Sequence, residues 1–424
     1  MTASGTGPRV IDLFSGAGGL SEGFRQAGYN VRLGLDFDAE ACRTHAFNHP
    51  DATILNTDVH EVSGKDLLAE SGFGEVDVMI GGPSCQGFST QGRRGSWASE
   101  DDPRNMLYRQ YARLVGDLRP EWFVMENVPG LLWFNKGEFG RRIFDQFESL
   151  GYQIQHKIVL AADFGVPQLR RRLMIVGNRV GKVFQWPEQT HMGAVRRDAI
   201  ALWEKRRLEK FPHLERHLTL WDAISDLPAI SAGGGVEERR YTKAPLTAYQ
   251  AALRGSSDLL FDHQATPLPQ VHLDLIKHVA EGQTWREIPQ ELLPERFAKI
   301  RRTDGTNLFA RPDRNRPSYT IITQFGNVTT GAYTHPNQDR AFTAREGARI
   351  QSFPDDFRFI GNLTSKYRQI GNAVPPLLAR RMAEALTVSM SGESAELVLD
   401  LDFRNAVARE QAAAERDDLL PAAM

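Results

Sequence analysis

The first 180 residues repeat one pattern: a short apolar run, a turn of small or polar residues, then an amphipathic stretch of helical period. The pattern predicts strands at Arg9–Leu13, Val31–Leu35, Val76–Ile80, Trp122–Glu126, Tyr152–Leu160 and Arg172–Val176. Helical stretches such as Leu20–Ala27 and Asn105–Leu118 lie between them. Strands that alternate with helices form a mostly parallel sheet covered on both faces, so the fold class is α/β. Such sheets bind ligands beyond the carboxyl ends of their strands. Phe14 to Gly19, Asp36, Gly81 to Ser89 and Glu126 to Val128 fall at those ends.

Bulk properties narrow the class. Two cysteines among 424 residues exclude a disulfide framework and suit a reducing compartment. No basic amino-terminal stretch precedes an apolar core, and no apolar run approaches the roughly 20 residues that span a bilayer. A cytoplasmic protein without membrane contact is expected. The net charge of −2 hides an uneven distribution. Residues 296–316 hold seven basic and two acidic side chains, whereas residues 391–424 hold eight acidic and three basic ones. A charge run is ordinarily a solvated face, but the basic stretch also suits phosphate contact.

Five segments carry candidate chemistry. In Asp12-Leu13-Phe14-Ser15-Gly16-Ala17-Gly18-Gly19-Leu20, the glycines let the backbone turn sharply and approach a ligand at a helix amino terminus. The dinucleotide fingerprint is absent, because its third glycine would fall at Ser21. Asp36 suits the two hydroxyls of a ribose and Asp58 an adenine amine, which together point to an adenosine-containing cofactor. A tight turn needed only for packing explains the glycines equally well. Pro83-Ser84-Cys85-Gln86 places a cysteine at the mouth of the sheet, where a thiolate nucleophile would sit, although most lone cysteines are buried and inert. Glu126-Asn127-Val128 offers an acid at a strand end. Gln168-Leu169-Arg170-Arg171-Arg172 puts Gln168, Arg170 and Arg172 on one face if the strand is continuous. Gln369 to Pro376 reads as a proline-rich loop before a helix running from Leu377 to about Val388.

The order and spacing of these segments resemble the bacterial DNA cytosine carbon-5 methyltransferase family, over roughly residues 9–178 and 317–388. Arg345-Glu346-Gly347-Ala348-Arg349-Ile350-Gln351-Ser352-Phe353-Pro354 and Gly371-Asn372-Ala373-Val374-Pro375-Pro376 match its last motifs. One departure is Ser84, which stands directly before the cysteine where many members have proline. The resemblance implies a Rossmann-like methyltransferase sheet and S-adenosyl-L-methionine as cofactor. It implies methyl transfer to carbon 5 of a flipped-out cytosine in a specific double-stranded DNA sequence.

The residue roles follow from the resemblance. Cys85 attacks carbon 6, Glu126 holds ring nitrogen 3 and the amino group, Arg172 holds the carbonyl oxygen, and Arg170 braces the site or a phosphate. Phe14, Ser15, Gly16, Gly18, Gly19, Leu20, Asp36, Phe37, Asp58, Val59, Pro83, Asn372, Ala373 and Val374 line the cofactor. Gln86, Ser89, Arg93, Arg94, Arg104, Arg301 and Arg302 contact DNA, with Gln86 to Pro103 as a closing lid.

The expected domains are residues 1–180, a catalytic domain completed by 360–390, and a target-recognition domain at 181–335. A conserved-motif hinge at 336–359 and an acidic tail at 391–424 complete the chain. A monomer is expected, with a cognate restriction endonuclease or other defence-system subunits as candidate partners. An RNA cytosine methyltransferase, a catalytically silent DNA-binding homologue and a nicotinamide-dependent oxidoreductase are the competing readings. The recognised bases are not legible.

Overall fold

A computed structural model describes residues 7–84, 106–194, 200–298 and 307–392. The chain divides into two compact units. Among the described residues, the first takes in those up to Leu160, Arg171–Glu188 and those from Pro376 on, and the second Ala161–Arg170 and Gln189–Pro375. The acidic tail beyond residue 392 lies outside the described residues.

The first unit is a seven-stranded sheet of β1 (Arg9–Leu13), β2 (Asn30–Asp36), β3 (Thr53–Asn56), β4 (Val78–Gly81), β5 (Trp122–Asn127), β6 (Gln153–Leu160) and β7 (Arg171–Asn178). Their order across the sheet is β3-β2-β1-β4-β5-β7-β6. The first five are parallel, and β7 runs antiparallel to both β5 and β6. Each sequence-predicted strand is present to within two residues at either end. β4 is buried along its whole length, as the apolar run Val78-Met79-Ile80 requires when helices cover both faces. At Gly81 a side chain would begin 2.4 Å from the Leu13 carbonyl oxygen, so only glycine lets β4 leave the sheet so close to β1. Strand order reverses between β1 and β4, which makes their carboxyl ends the switch point of the sheet.

Helices α1 (Gly19–Gln26), α2 (Ala39–Asn48), α3 (Gly64–Ser71), α4 (Leu107–Leu118) and α5 (Glu138–Ser149) connect the strands. Asp38 caps α2 by accepting the Glu40 and Ala41 amides, and Ser63 caps α3 in a reciprocal box with Asp66. The last described helix, α6 (Pro376–Ser391), also belongs to this unit. It packs on α1 so closely that a β-carbon at Gly23 would lie 2.4 Å from the Pro376 carbonyl oxygen. The Tyr29 hydroxyl adds a bond to the Ala383 carbonyl at 3.1 Å.

The second unit has short helices, including Ile200–Lys210, Ala344–Ile350 and Leu363–Asn372, and an antiparallel hairpin of Gly235–Arg240 with Leu259–Gln264. One apolar cluster gathers Leu275, Ile276, Val279, Trp285, Ile288 and Phe309. Charged side chains fill much of the remaining interior: Arg340, Arg345 and Arg349 are fully buried. No described helix is long and apolar enough to cross a membrane.

Candidate active site

At the end of β1 the chain turns through alternating left-handed residues, Phe14 (φ 57°), Gly16 (φ 53°) and Gly18 (φ 94°), before entering α1. The end of β2 anchors this turn. The Ser15 amide donates to the Leu35 carbonyl at 3.0 Å, and the Gly16 amide donates to Asp36 Oδ2 at 2.8 Å. Asp36 Oδ1 accepts the Asp38 amide at 2.8 Å. With the Phe37 amide, three backbone donors face the carboxylate, which has room for a further donor such as a ligand hydroxyl. Burial raises the Asp36 pKa, and the backbone amides that it accepts oppose the rise.

Two observations test whether these residues suit an adenosine-containing group. Phe37, next to Asp36, is 78% exposed, the most open large apolar side chain among the described residues. A β-carbon at Gly16 would meet nothing within 4 Å, so the turn has open space beside it. An aromatic face, a carboxylate with spare lone pairs and an open glycine turn fit such a ligand. Phe14 is half-buried against the sheet core, while Ser15, Gly18, Gly19 and Leu20 are buried. Asp58 is half-buried and accepts both the amide and Nδ1 of His60, at 3.0 and 2.7 Å; the amide contributes most to lowering its pKa. Val59 beside it is buried.

Glu126 closes β5 and Arg172 opens β7. The antiparallel register sets Glu126 opposite Met174, which places Arg172 one diagonal step away on the same face. Arg172 Nε lies 2.6 Å from Glu126 Oε1, with 13% of each side chain exposed. Burial lowers the Arg172 pKa, and the charge of Glu126 works against that. A β-carbon at Gly82 would lie 3.2 Å from Glu126 Oε2, so glycine there leaves the acid its position beside the turn after β4. Asn127, on the opposite side of the strand, donates from Nδ2 to the Pro83 carbonyl at 3.0 Å and caps Val128 through Oδ1. It ties the turn that leads into Cys85 to the end of β5. The motif contained Asn127, but nothing in its spacing assigned it a task. Cys85 lies outside the described residues, as do Gln86, Ser89, Arg93, Arg94, Arg104, Arg301, Arg302 and the lid segment to Pro103.

The structure corrects the reading of Gln168, Arg170 and Arg172 as one strand face. Gln168 and Leu169 pair with Ser318 and Tyr319 in a separate two-residue ladder, and β7 starts only at Arg171. Arg170 stands at the break, in the second unit, with 1% of its surface exposed. Its guanidinium donates to the carbonyls of Ile321, Gly371 and Ala373 at 2.9, 3.1 and 3.0 Å. Gln168 extends the clasp to Gln351 Oε1 at 2.8 Å and accepts the Ile321 amide at 2.7 Å. The segment read as a loop from Gln369 to Pro376 is also different. Gln369 to Asn372 complete the helix Leu363–Asn372, leaving Ala373 to Pro375 as the connection. Gly371 permits this, since a β-carbon there would lie 2.4 Å from the backbone of Ile322 and Thr323. Asn372 is exposed and Val374 buried.

Residues 8–387 match the C-5 cytosine-specific DNA methylase family. The chain is 35% identical over 376 residues to the type II methyltransferase M1.HphI of Haemophilus parahaemolyticus, covering 89% of this chain and 86% of that protein. It is 34% identical over 433 residues to M.AgeI of Thalassovita gelatinovora, covering 90% and 100%. A putative DNA modification methyltransferase encoded within an E. coli prophage superimposes with a TM-score of 0.68 at 26% identity, over 91% of this chain and 100% of its own. The chain belongs to the C-5 cytosine-specific DNA methylase family and is an S-adenosyl-L-methionine-dependent DNA (cytosine-5-)-methyltransferase.

Proposed function

We propose that the enzyme methylates a cytosine rotated out of a specific double-stranded DNA sequence, through a transient bond between Cys85 and carbon 6 of the base. The observation that carries this reading is the Glu126–Arg172 pair beside the turn that leads into Cys85. Carbon 5 of cytosine is a poor nucleophile. Addition of the Cys85 thiolate to carbon 6 breaks the ring conjugation and moves an electron pair toward carbon 5. Glu126 holds ring nitrogen 3 and the exocyclic amine, and Arg172 holds the carbonyl oxygen, where negative charge develops as sulfur adds. S-adenosyl-L-methionine would supply the electrophilic methyl group that carbon 5 receives, the sulfur–methyl bond breaking and its electron pair returning to sulfur. A base then takes the proton from carbon 5, the electron pair re-forms the double bond, and the Cys85 thiolate leaves.

The atoms that react are inaccessible in a duplex, so the base is extruded at a cost of a few kcal/mol. Phe14, the turn from Ser15 to Leu20, Asp36, Phe37, Asp58, Val59 and Pro83 would hold the cofactor. Asn372, Ala373 and Val374 keep the cofactor role that motif order gives them. Arg170 serves as a brace, committed to backbone carbonyls rather than to the base. Gln86, Ser89, Arg93, Arg94, Arg104, Arg301 and Arg302 contact the DNA. The type II names of the relatives support a place in restriction-modification; the enzyme would act there as a monomer beside a cognate endonuclease.

The test is DNA with 5-fluorocytosine at the target, incubated with enzyme and methyl donor. A covalent complex that survives denaturation is expected with the wild type and not with Cys85→Ser. Absence of any adduct on an enzyme that methylates ordinary DNA overturns the proposal. Sequencing methylated cytosines in the expression host gives the target, and resistance of that DNA to a co-encoded nuclease tests the restriction-modification role.

A further inference from the structure

His45 is fully buried on α2 and appears in none of the motifs. Its Nδ1 lies 3.1 Å from the Ser15 hydroxyl. Two glycines make room for its ring: a β-carbon at Gly18 would lie 2.8 Å from Cδ2, and one at Gly34 would lie 2.6 Å from Cε1. The imidazole therefore fills a slot between the Phe14–Gly18 turn and β2. His49 stacks edge-on against it at 5.1 Å. Burial, with smaller effects from His49 and Arg25, holds the His45 pKa well below its ordinary value, so the ring is neutral. Nε2 has no hydrogen-bond partner among the described residues. An orphaned buried N–H is rarer than an orphaned acceptor, which puts the single ring proton on Nδ1, donating to Ser15.

We propose that His45 is a positioning residue for the cofactor turn: its ring fixes the Ser15 hydroxyl and holds Phe14–Gly18 in the shape that receives the methyl donor. The Leu35 and Asp36 contacts hold only the backbone of that turn, at Ser15 and Gly16. His45 adds a tie through the Ser15 side chain and packs against Gly18. It can do so only because positions 18 and 34 carry no side chain. The inference rests on the assignment of this turn to S-adenosyl-L-methionine.

Calorimetric titration of the full chain with S-adenosyl-L-methionine, without DNA, tests it. His45→Leu keeps the bulk and removes the hydrogen bond, and should weaken binding by about tenfold, the worth of one such bond. His45→Asn places an amide near the position of Nδ1 and should restore most of the affinity. Ser15→Ala should cost about as much as His45→Leu, and the double variant little more than either, because both remove the same interaction. Independent, multiplying losses overturn the proposal. So does affinity that follows melting temperature, with His45→Asn no better than His45→Leu. Should His45→Leu not fold, unchanged affinity in Ser15→Ala overturns it. Gly16→Val separates the premise from the inference. If it leaves binding intact, the turn is not the cofactor site. If it abolishes binding while the His45 variants bind normally, the site stands and the positioning role falls.

Discussion

The two compact units solve the problem of buried backbone in opposite ways. In the first, the strands pair their own amides and carbonyls, and the core is apolar on both faces, with Leu13, Met79, Phe123 and Ile175 fully buried on one and Val10, Val78, Val124 and Met174 on the other. The second has few regular ladders, so its buried carbonyls need other donors. Guanidinium groups supply them. Arg311 donates to the carbonyls of Ile276, Val279 and His335, and Arg345 to those of Phe261, Pro354 and Phe357. Arg170 takes three more. A buried guanidinium must also be neutralised. Arg349 reaches Asp226 at 2.5 Å and Asp355 at 2.7 Å, and Arg340 reaches Glu346 at 2.7 Å. Irregular chain can thus be made rigid when planar, five-donor cations replace the missing strand partners.

The sharpest way to break this contrast is Arg349→Met, which leaves Asp226 buried without its cation and Asp355 with only Arg345, at 3.7 Å. A loss of about 3–5 kcal/mol is expected in urea unfolding. A loss below about 1 kcal/mol would show that the ion network does not hold the second unit. Arg170→Lys comes next. Lysine keeps the charge but cannot fork to three carbonyls, and about 1–3 kcal/mol should be lost for acceptors left unpaired. Hydrogen exchange should quicken around Ile321 and Ile370 before it changes in β1 or β4; equal change throughout would undo the assignment of Arg170 to the second unit.

Two buried carboxyls, one in each unit, should respond oppositely to pH. Burial, opposed in part by the Ser21 hydroxyl, raises the Asp12 pKa to about 7. The folded protein therefore holds a proton there that the unfolded chain releases near pH 4. Stability from this group is full below about pH 4 and declines as pH rises to about 7. For Asp355, burial favours a rise, but Arg349 holds the carboxyl below its usual range. Its contribution is full above about pH 4 and is lost on acidification. Asp12→Asn should flatten the decline between pH 4 and 7 in urea midpoints relative to the wild type. Identical slopes in the two proteins would mean that Asp12 titrates normally. The smallest effect is expected at an exposed pair. Lys277→Ala removes a 2.9 Å contact to Asp274 between two half-exposed side chains, and should move stability by no more than about 0.5 kcal/mol.

Much of the first unit was legible because its determinants are local. Apolar runs set the strands, and Glu126 and Arg172 stood at strand ends that the pattern had located. What the sequence concealed depended on partners far along the chain. Arg349 meets Asp226 across 123 positions, and Arg170 meets Ala373 across 203. A basic side chain read by itself is taken for a solvated or phosphate-facing group, so the burial of Arg170, Arg340 and Arg345 had no local signature. The break before Arg171 was hidden for a similar reason, since the ladder to Ser318 ends the alternation that three arginines suggest. His45 carried no signal at all, because the two glycines that admit its ring lie on other elements.

The contact of α6 with α1 has a consequence for how the protein is made. At ribosomal rates of about 5–20 residues per second, the stretch Gln189–Pro375 takes on the order of 10–40 s to emerge. Throughout that interval Gly23 and its neighbours await the helix that will cover them. The nascent first unit then has a sticky, half-finished surface at α1, and a ribosome that stalls within this stretch leaves a polypeptide bearing every strand of the seven-stranded sheet yet vulnerable to chaperone capture or proteolysis.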